Sequence, residues 1–144
     1  RFPMKRIVLT SLIPILLCDA IQQRPDGKKV LVGPFDRAMG VLPLRLKAVL
    51  YCKAEVGAGE HEWGLFVWRE GTGRAQVGTL KGVSVKAGAI EVVFPLMMVF
   101  GEGGRWIFEL EEGGVPLGRT TLMVEGKSAL VVAASVPSNG KKQR

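Results

Sequence analysis

Apolar and polar residues alternate in short runs along most of this chain, and the alternation predicts β-strands. In the clearest run, 44–54, the residues Leu44, Leu46, Ala48, Leu50 and Cys52 alternate with residues that are mostly Arg, Lys or Tyr. A period of two places the apolar side chains on one face of a sheet and the polar ones on the other. Similar runs follow at 61–70, 74–80, 90–94, 105–111 and 117–124, and none of them has a helical period.

Residues that favour turns separate these runs. Pro25-Asp26-Gly27 precedes a short apolar run at 29–32, and Gly71-Thr72-Gly73 and Lys86-Ala87-Gly88 separate later runs. Proline presets φ and glycine permits positive φ, so each of these segments is a turn signal with a physical cause. Gly113-Gly114 suits a hairpin loop that needs positive φ at both positions. Short strands at about ten-residue spacing predict an all-β sandwich or barrel.

The charge distribution predicts one domain with basic ends. The 144 residues are enough for a single hydrophobic core. The formal net charge of +7 lies entirely at the two ends, because residues 7–125 contain 13 basic and 13 acidic residues. We assign an N-terminal extension to 1–6, the β-sandwich domain to 7–125 and a basic tail to 126–144, where the apolar run 129–136 is either an added edge strand or the start of the tail. Nucleic-acid binding is not expected, since it needs Lys and Arg clustered on the folded surface.

The N-terminal segment fits two interpretations. Met4-Lys5-Arg6 followed by the apolar run 7–17 is typical of a signal peptide, and Cys18-Asp19-Ala20 offers a poor cleavage site for it. The alternative is a first strand from Ile7 to Gln22, bulged near Pro14 because proline cannot donate to a sheet ladder. The run is too short to cross a bilayer as a helix, so no transmembrane segment is predicted. If the segment is a strand, we expect a cytoplasmic protein. If residues 4–20 are a signal peptide, we expect an exported or surface-attached domain.

No group of residues in the sequence matches a catalytic or metal-binding pattern. The only histidine, His61, lies between Glu60 and Glu62, which would raise its pKa if they approached it in space. We predict a surface residue at the start of a strand, because one histidine supplies only part of an acid–base site. No serine lies in a nucleophile elbow, and no second histidine completes a metalloprotease motif. The sequence thus predicts a non-enzymatic protein without catalytic, cofactor-binding or metal-binding residues and without a cofactor.

The aspartates and cysteines have structural explanations. Asp19, Asp26 and Asp36 could meet at one end of a sandwich, but a calcium ion needs about six to eight oxygen ligands, and turn preference alone explains Asp26. Asp19 and Asp36 each follow an apolar run, and we predict that they organise loops by accepting backbone N–H hydrogen bonds. Cys18 and Cys52 lie in apolar runs and are predicted to be buried free thiols.

The run 61–70 carries aromatic residues on both of its faces. Trp63, Leu65 and Val67 share one face, and Phe66 and Trp68 share the other. The pattern does not decide which face points inward, and both are covered if the strand is central. An outward-facing aromatic residue in this run is the first candidate for a partner surface, and we select Phe66 and Trp68.

Several short motifs stand in a characteristic order along the chain. They are Leu17-Cys18-Asp19, Gly27-Lys28, Gly33 with Phe35-Asp36, Pro43, Gly59-Glu60-His61-Glu62, Phe94-Pro95, and Phe108-Glu109-Leu110 with Pro116-Leu117-Gly118. This series resembles a family of uncharacterised bacterial proteins, a domain of unknown function, over about residues 7–124. The resemblance implies an Ig-like β-sandwich with the Leu-Cys-Asp element inside the folded domain, and it implies no catalytic residues. The signal-like N-terminal run departs from the family, and the basic tail lies outside the match.

The strand pattern and the resemblance together predict a single Ig-like antiparallel β-sandwich of about seven to nine strands. Since no constellation of residues carries chemistry, we expect a small bacterial protein that binds an unknown protein partner or associates with itself. A contiguous apolar patch around Phe66 and Trp68, or an unpaired strand edge, would favour this function.

Overall fold

A computed structural model describes residues 13–84 and 88–127 of the chain. These residues form nine strands and no helix. The strands are β1 (Ile15–Gln23), β2 (Lys29–Phe35), β3 (Arg37–Val41), β4 (Leu44–Val56), β5 (Gly59–Arg69), β6 (Ala75–Ser84), β7 (Gly88–Phe100), β8 (Gly104–Glu112) and β9 (Val115–Lys127). They make a four-stranded sheet in the order β2-β1-β4-β7 and a five-stranded sheet in the order β3-β9-β8-β5-β6. The predicted all-β sandwich is confirmed.

The two sheets pack through the apolar faces that the alternation predicts. In β4, Ala48, Leu50 and Cys52 are buried, whereas Leu44 and Leu46, at the start of the strand, are half-buried. The largest fully buried side chains come from both sheets and include Trp63, Phe100, Phe108, Leu17, Leu50, Leu65, Leu110 and Leu122. Trp63 therefore points into the core, and of the aromatic residues on β5 only Phe66 and Trp68 face outward.

The predicted hairpins form at the predicted turns. Gly113 and Gly114 have φ angles of 59° and 84° and join β8 to β9, which is the backbone that a two-residue hairpin loop requires. The Gly71 turn joins β5 to β6, which pair antiparallel. At the tip of the β1–β2 hairpin, Lys28 N donates a 3.0 Å hydrogen bond to Asp26 Oδ1.

The ladders depart from the predicted antiparallel arrangement at β3. After β2 the chain crosses between the sheets, and β3 pairs parallel with β9. Met123 N donates a 3.0 Å hydrogen bond to the carbonyl of Asp36 at the start of this ladder. Ile13 also forms a parallel bridge to Gly118 of β9. A crossover between sheets leaves no local signature in the sequence, so strand direction was not predictable at this point.

The predicted first strand corresponds to β1, which begins at Ile15 and lies between β2 and β4. Its side chains Ile15 and Leu17 are buried in the core. The extension 1–6, the strand residues 7–12, the turn residues 86–87, and the tail with its candidate strand at 129–136 lie outside the described residues. Within 13–84 and 88–127, no helix is long and apolar enough to cross a membrane.

The β1–β2 hairpin bends away from its sheet. β1 pairs with β4 only from Ile15 to Cys18, although its pairing with β2 continues to Gln23 and Lys29. Continued in the same register, Gln23 would lie beside the start of β4, yet Lys29 Nζ is 2.5 Å from Glu91 Oε1, at the other end of the β4–β7 ladder. The outer part of the hairpin therefore turns back over the outer face of the sheet.

Candidate partner-binding face

Phe66 and Trp68 lie on the outer face of the five-stranded sheet. They alternate with the buried Leu65 and Val67, and both are half-buried rather than exposed. The register pairs Phe66 with Glu109 on β8 and pairs Glu109 with Arg119 on β9. Side chains that are paired in register share a face, so an aromatic ring, a carboxylate and a guanidinium form a row across three strands.

Arg74, which precedes β6, covers both aromatic rings. Its guanidinium carbon is 4.3 Å from the centroid of the Phe66 ring and 5.1 Å from that of the Trp68 ring. Arg119 approaches the Trp68 ring from β9, at 5.8 Å. These distances lie within the range in which a cation is attracted to an aromatic face.

Two buried carboxylates hold these guanidinium groups in place. Arg74 Nη2 donates a 3.0 Å hydrogen bond to Glu109 Oε1 and also bonds to Glu111. Arg119 donates from Nε and Nη2 to Glu109 Oε2, at 3.2 and 2.6 Å. The side chains of Glu109 and Glu111 are 3 % and 9 % exposed, whereas those of Arg74 and Arg119 are 43 % and 48 % exposed. The arginines are thus anchored from below and open to solvent above.

We call Phe66, Trp68, Arg74, Arg119, Glu109 and Glu111 the outer-face cluster. The sequence predicted Phe66 and Trp68 as a surface, and the structure brings them together. The sequence did not predict that the two arginines and the two glutamates would join this surface. Glu109 and Glu111 alternate with the apolar residues Phe108 and Leu110, and this alternation did indicate the outer face of a strand.

His61 lies on the face of β5 opposite to Phe66 and Trp68, next to Trp63, and has two hydrogen-bond partners. Its Nδ1 is 2.7 Å from Glu112 Oε2 and its Nε2 is 2.7 Å from the carbonyl of Gly57. Both partners are acceptors, an arrangement that favours the protonated ring, in which both nitrogens donate. The Gly57 carbonyl first, and then the Glu112 carboxylate, raise the pKa of His61. Trp63 Nε1 donates to Glu112 Oε1 at 3.1 Å, which ties this group to the core.

The expected role of His61 needs two corrections. The structure does not leave it on an open surface, because its side chain is only 13 % exposed. The carboxylate that meets it is Glu112 on β8 rather than Glu60 or Glu62. A cleft of about 420 Å³ is lined in part by Glu112, Phe66 and Gln76, and so extends from Glu112 to the outer-face cluster.

Asp19 and Asp36 lie on different elements of the fold. Asp19 lies within β1, rather than after it, and its Oδ2 is 2.3 Å from the position that a Cβ on Gly33 would take. Gly33 has a φ of 64° and lies where the β1–β2 hairpin bends. Asp36 lies between β2 and β3, and its contact in the ladder is made by its backbone carbonyl. Loop organisation by the two carboxylates stays a prediction.

Cys18 and Cys52 are buried free thiols, as predicted. Burial raises the pKa of Cys18, and it raises the pKa of Cys52 to about 11. Both thiols are therefore protonated at neutral pH, and a protonated thiol is a poor nucleophile.

Within residues 13–84 and 88–127, no group of three His, Cys, Asp or Glu side chains is placed to hold a metal ion. A scan against protein-family models and a search of curated proteins were used to place the chain among known proteins. Neither comparison finds a match.

Proposed function

We propose that this protein is a non-enzymatic, Ig-like interaction module that binds a protein partner through the outer-face cluster. The observation that carries the proposal is the stacking of Arg74 over Phe66 and Trp68 while Glu109 holds the same guanidinium from below. Trp and Arg are the residues most enriched among those that dominate binding energy at protein interfaces. Here the half-buried Trp68 lies between Arg74 and Arg119 on one surface.

The cluster is prepared for binding because its long side chains are already ordered. Immobilising a flexible side chain costs about 0.5–1.5 kcal/mol when an interface forms. The hydrogen bonds that Arg74 and Arg119 donate to Glu109 and Glu111 fix both guanidinium groups before any partner arrives. Each guanidinium keeps an exposed edge, so a partner's carbonyl or carboxylate oxygen can bond to it without displacing the buried glutamates.

The groups that most often perform covalent chemistry have other roles in this fold, which supports a non-enzymatic function. Both ring nitrogens of His61 lie 2.7 Å from fixed oxygen acceptors, so neither is open to a substrate. Burial keeps the thiols of Cys18 and Cys52 protonated.

We further propose, on the resemblance to the bacterial family, that the module works in the bacterial cytoplasm. The burial of Ile15 and Leu17 in β1 supports the strand interpretation of the N-terminal segment. A cleaved signal over 4–20 would remove both side chains from the core. The N-terminal mass of the native protein separates the two: loss of the segment through Ala20 would establish export instead.

The partner surface can be tested by quantitative pull-down from a lysate of the source organism. Trp68→Ala should weaken capture of a stoichiometric partner by about 30-fold, the effect of losing a residue that dominates an interface. Thr121→Arg, beside Ile107 at the rim, adds a long side chain that blocks the cluster without removing its contacts. Met97→Ala is the matched control, because Met97 is exposed on the other sheet. A partner captured equally by all four proteins would refute this surface, and thermal unfolding shows that each variant is folded.

A further inference from the structure

Within residues 13–84 and 88–127, the sandwich has four edge strands, and three of them carry features that prevent further strand pairing. The edges are β2 and β7 in one sheet and β3 and β6 in the other. Unpaired edges invite pairing with another chain, and proteins block them with proline, β-bulges, charged side chains or very short strands. β2 contains Gly33 with φ of 64° followed by Pro34, β7 contains Pro95, and β3 is only five residues long.

β6 has almost none of these features. It is ten residues long, Ala75–Ser84, and contains no proline and no acidic residue. Its bulge opposite Leu65 and Phe66 affects only the beginning of the strand, and the ladder from Gly78 to Ser84 is regular. Lys81 is its one charged residue, and in that ladder Lys81 lies opposite Glu62.

We propose that the free edge of β6 pairs antiparallel with β6 of a second copy of this chain, which joins the two five-stranded sheets into one. The strand is compatible with itself. In a twofold pairing centred on Leu80, Thr79 of each copy lies opposite Lys81 of the other on the outer face, and Gly78 lies opposite Gly82 on the inner face. The two lysines do not face each other, and the glycines leave room for close approach of the backbones.

The charges of the body also suit a second copy. Residues 7–125 are formally neutral, so two bodies meet without net repulsion although the whole chain carries +7. The pairing extends the outer face without covering it, because Phe66 and Trp68 lie on β5, one strand inside the edge. The dimer therefore presents two outer-face clusters on one continuous sheet and does not depend on the proposed partner binding.

Two opposite charge changes at Thr79 test the pairing. Thr79 is exposed and lies opposite Gly64 in its own chain, and its hydroxyl accepts one hydrogen bond, from Gln76 Nε2 at 3.1 Å, which both changes alter. Thr79→Glu places a carboxylate opposite Lys81 of the other copy and should tighten the dimer about tenfold, whereas Thr79→Lys should weaken it about tenfold. Gln23→Glu and Gln23→Lys, exposed on β1, are the matched controls and should change nothing.

The measurement is sedimentation equilibrium of the full chain over a concentration series, with amide hydrogen exchange of β6 as a second readout. Within one copy, residue 79 lies diagonal to Glu62 and two residues from Lys81 on the same face, so these two contributions oppose each other and do not produce the predicted order. A wild-type chain that stays monomeric with fast exchange in β6 would overturn the proposal. A dimer whose dissociation constant changes equally in Thr79→Glu and Thr79→Lys would also overturn it. Neither result affects the Trp68 assay, which tests a different surface.

Discussion

Glu109 lies directly opposite Arg119 in the β8–β9 ladder, and its side chain is only 3 % exposed although it stands on the outer face of the sheet. A carboxylate is seldom buried unless it is paired. Here three hydrogen bonds from Arg74 and Arg119 compensate it. The pairing explains how charged residues and aromatic rings share one compact surface.

We expect removal of the carboxylate and removal of the arginines to lower the free energy of unfolding by different amounts. Glu109→Gln leaves two arginines that still reach solvent, so it should lower the free energy of unfolding by only about 1 kcal/mol. The double variant Arg74→Ala/Arg119→Ala leaves two carboxylates without their partners and should cost about 2–3 kcal/mol. Urea denaturation measures both values, with Arg45→Ala, exposed on β4, as control. Equal costs for the two variants would show that the glutamates are not buried as described.

The sequence predicted the strands well because the alternation is a direct consequence of having one buried face. Ala48, Leu50 and Cys52 are buried for this reason, and Gly113-Gly114 forms the expected hairpin. The crossover into the parallel strand β3 was not predictable, since it depends on how two sheets pack rather than on a local pattern.

The outer-face cluster could not be predicted because it depends on a register shift. Without the shift between Leu110 and Glu111, the hairpin would place Glu109 opposite Gly118 and turn Arg119 toward the core. Glu60 and Glu62 do not approach His61, and the reason is simpler. Glu60 and Glu62 are its neighbours in a strand, and neighbours in a strand point to the opposite face.

The raised pKa of His61 predicts a pH-dependent stability. A raised folded pKa means that the stabilisation is fully present below the unfolded value of about 6.5 and is lost as the pH rises through the folded value. The free energy of unfolding should therefore decrease from pH 6 toward alkaline pH (about 6 to 8). His61→Gln should remove this decrease, and Glu60→Gln should leave it in place. Urea denaturation across the range measures it, and a decrease that persists in His61→Gln would assign it to another group.

Core burial predicts a graded series of alanine variants. Leu50→Ala, at a fully buried position in β4, should destabilise the protein by about 2–5 kcal/mol. Leu46→Ala should cost less, because Leu46 is half-buried. Met97→Ala should change the free energy of unfolding by less than about 0.5 kcal/mol, since Met97 is 61 % exposed. Thermal or urea unfolding gives the order, and a neutral Leu50→Ala would contradict the assignment of the inner face.

The ion pair between Lys29 and Glu91 should hold the bent β1–β2 hairpin in position. Lys29 first, and then the Tyr51 hydroxyl at 2.5 Å, lower the pKa of Glu91. Glu91→Gln should therefore speed amide hydrogen exchange in the outer hairpin, 20–31, and leave exchange in β8 unchanged. Glu55→Gln, also exposed near the end of β4, is the control. Unchanged exchange in Glu91→Gln would mean that the bend is fixed by the backbone alone.

Gly33 should be required at the bend of the β1–β2 hairpin, where its backbone lies against the Asp19 carboxylate. Gly33→Ala places a side chain in a left-handed backbone conformation, which costs about 1–2 kcal/mol, and drives its Cβ against the Asp19 carboxylate. Asp19→Ala removes that contact but not the backbone strain, so the double variant should recover only part of the loss. If Asp19 also organises the bend, Asp19→Ala alone should cost about 1 kcal/mol. Gly73→Ala, where a Cβ meets open space, is the control. If Asp19→Ala does not change the free energy of unfolding, and the double variant is as unstable as Gly33→Ala, then only the glycine is required at this bend.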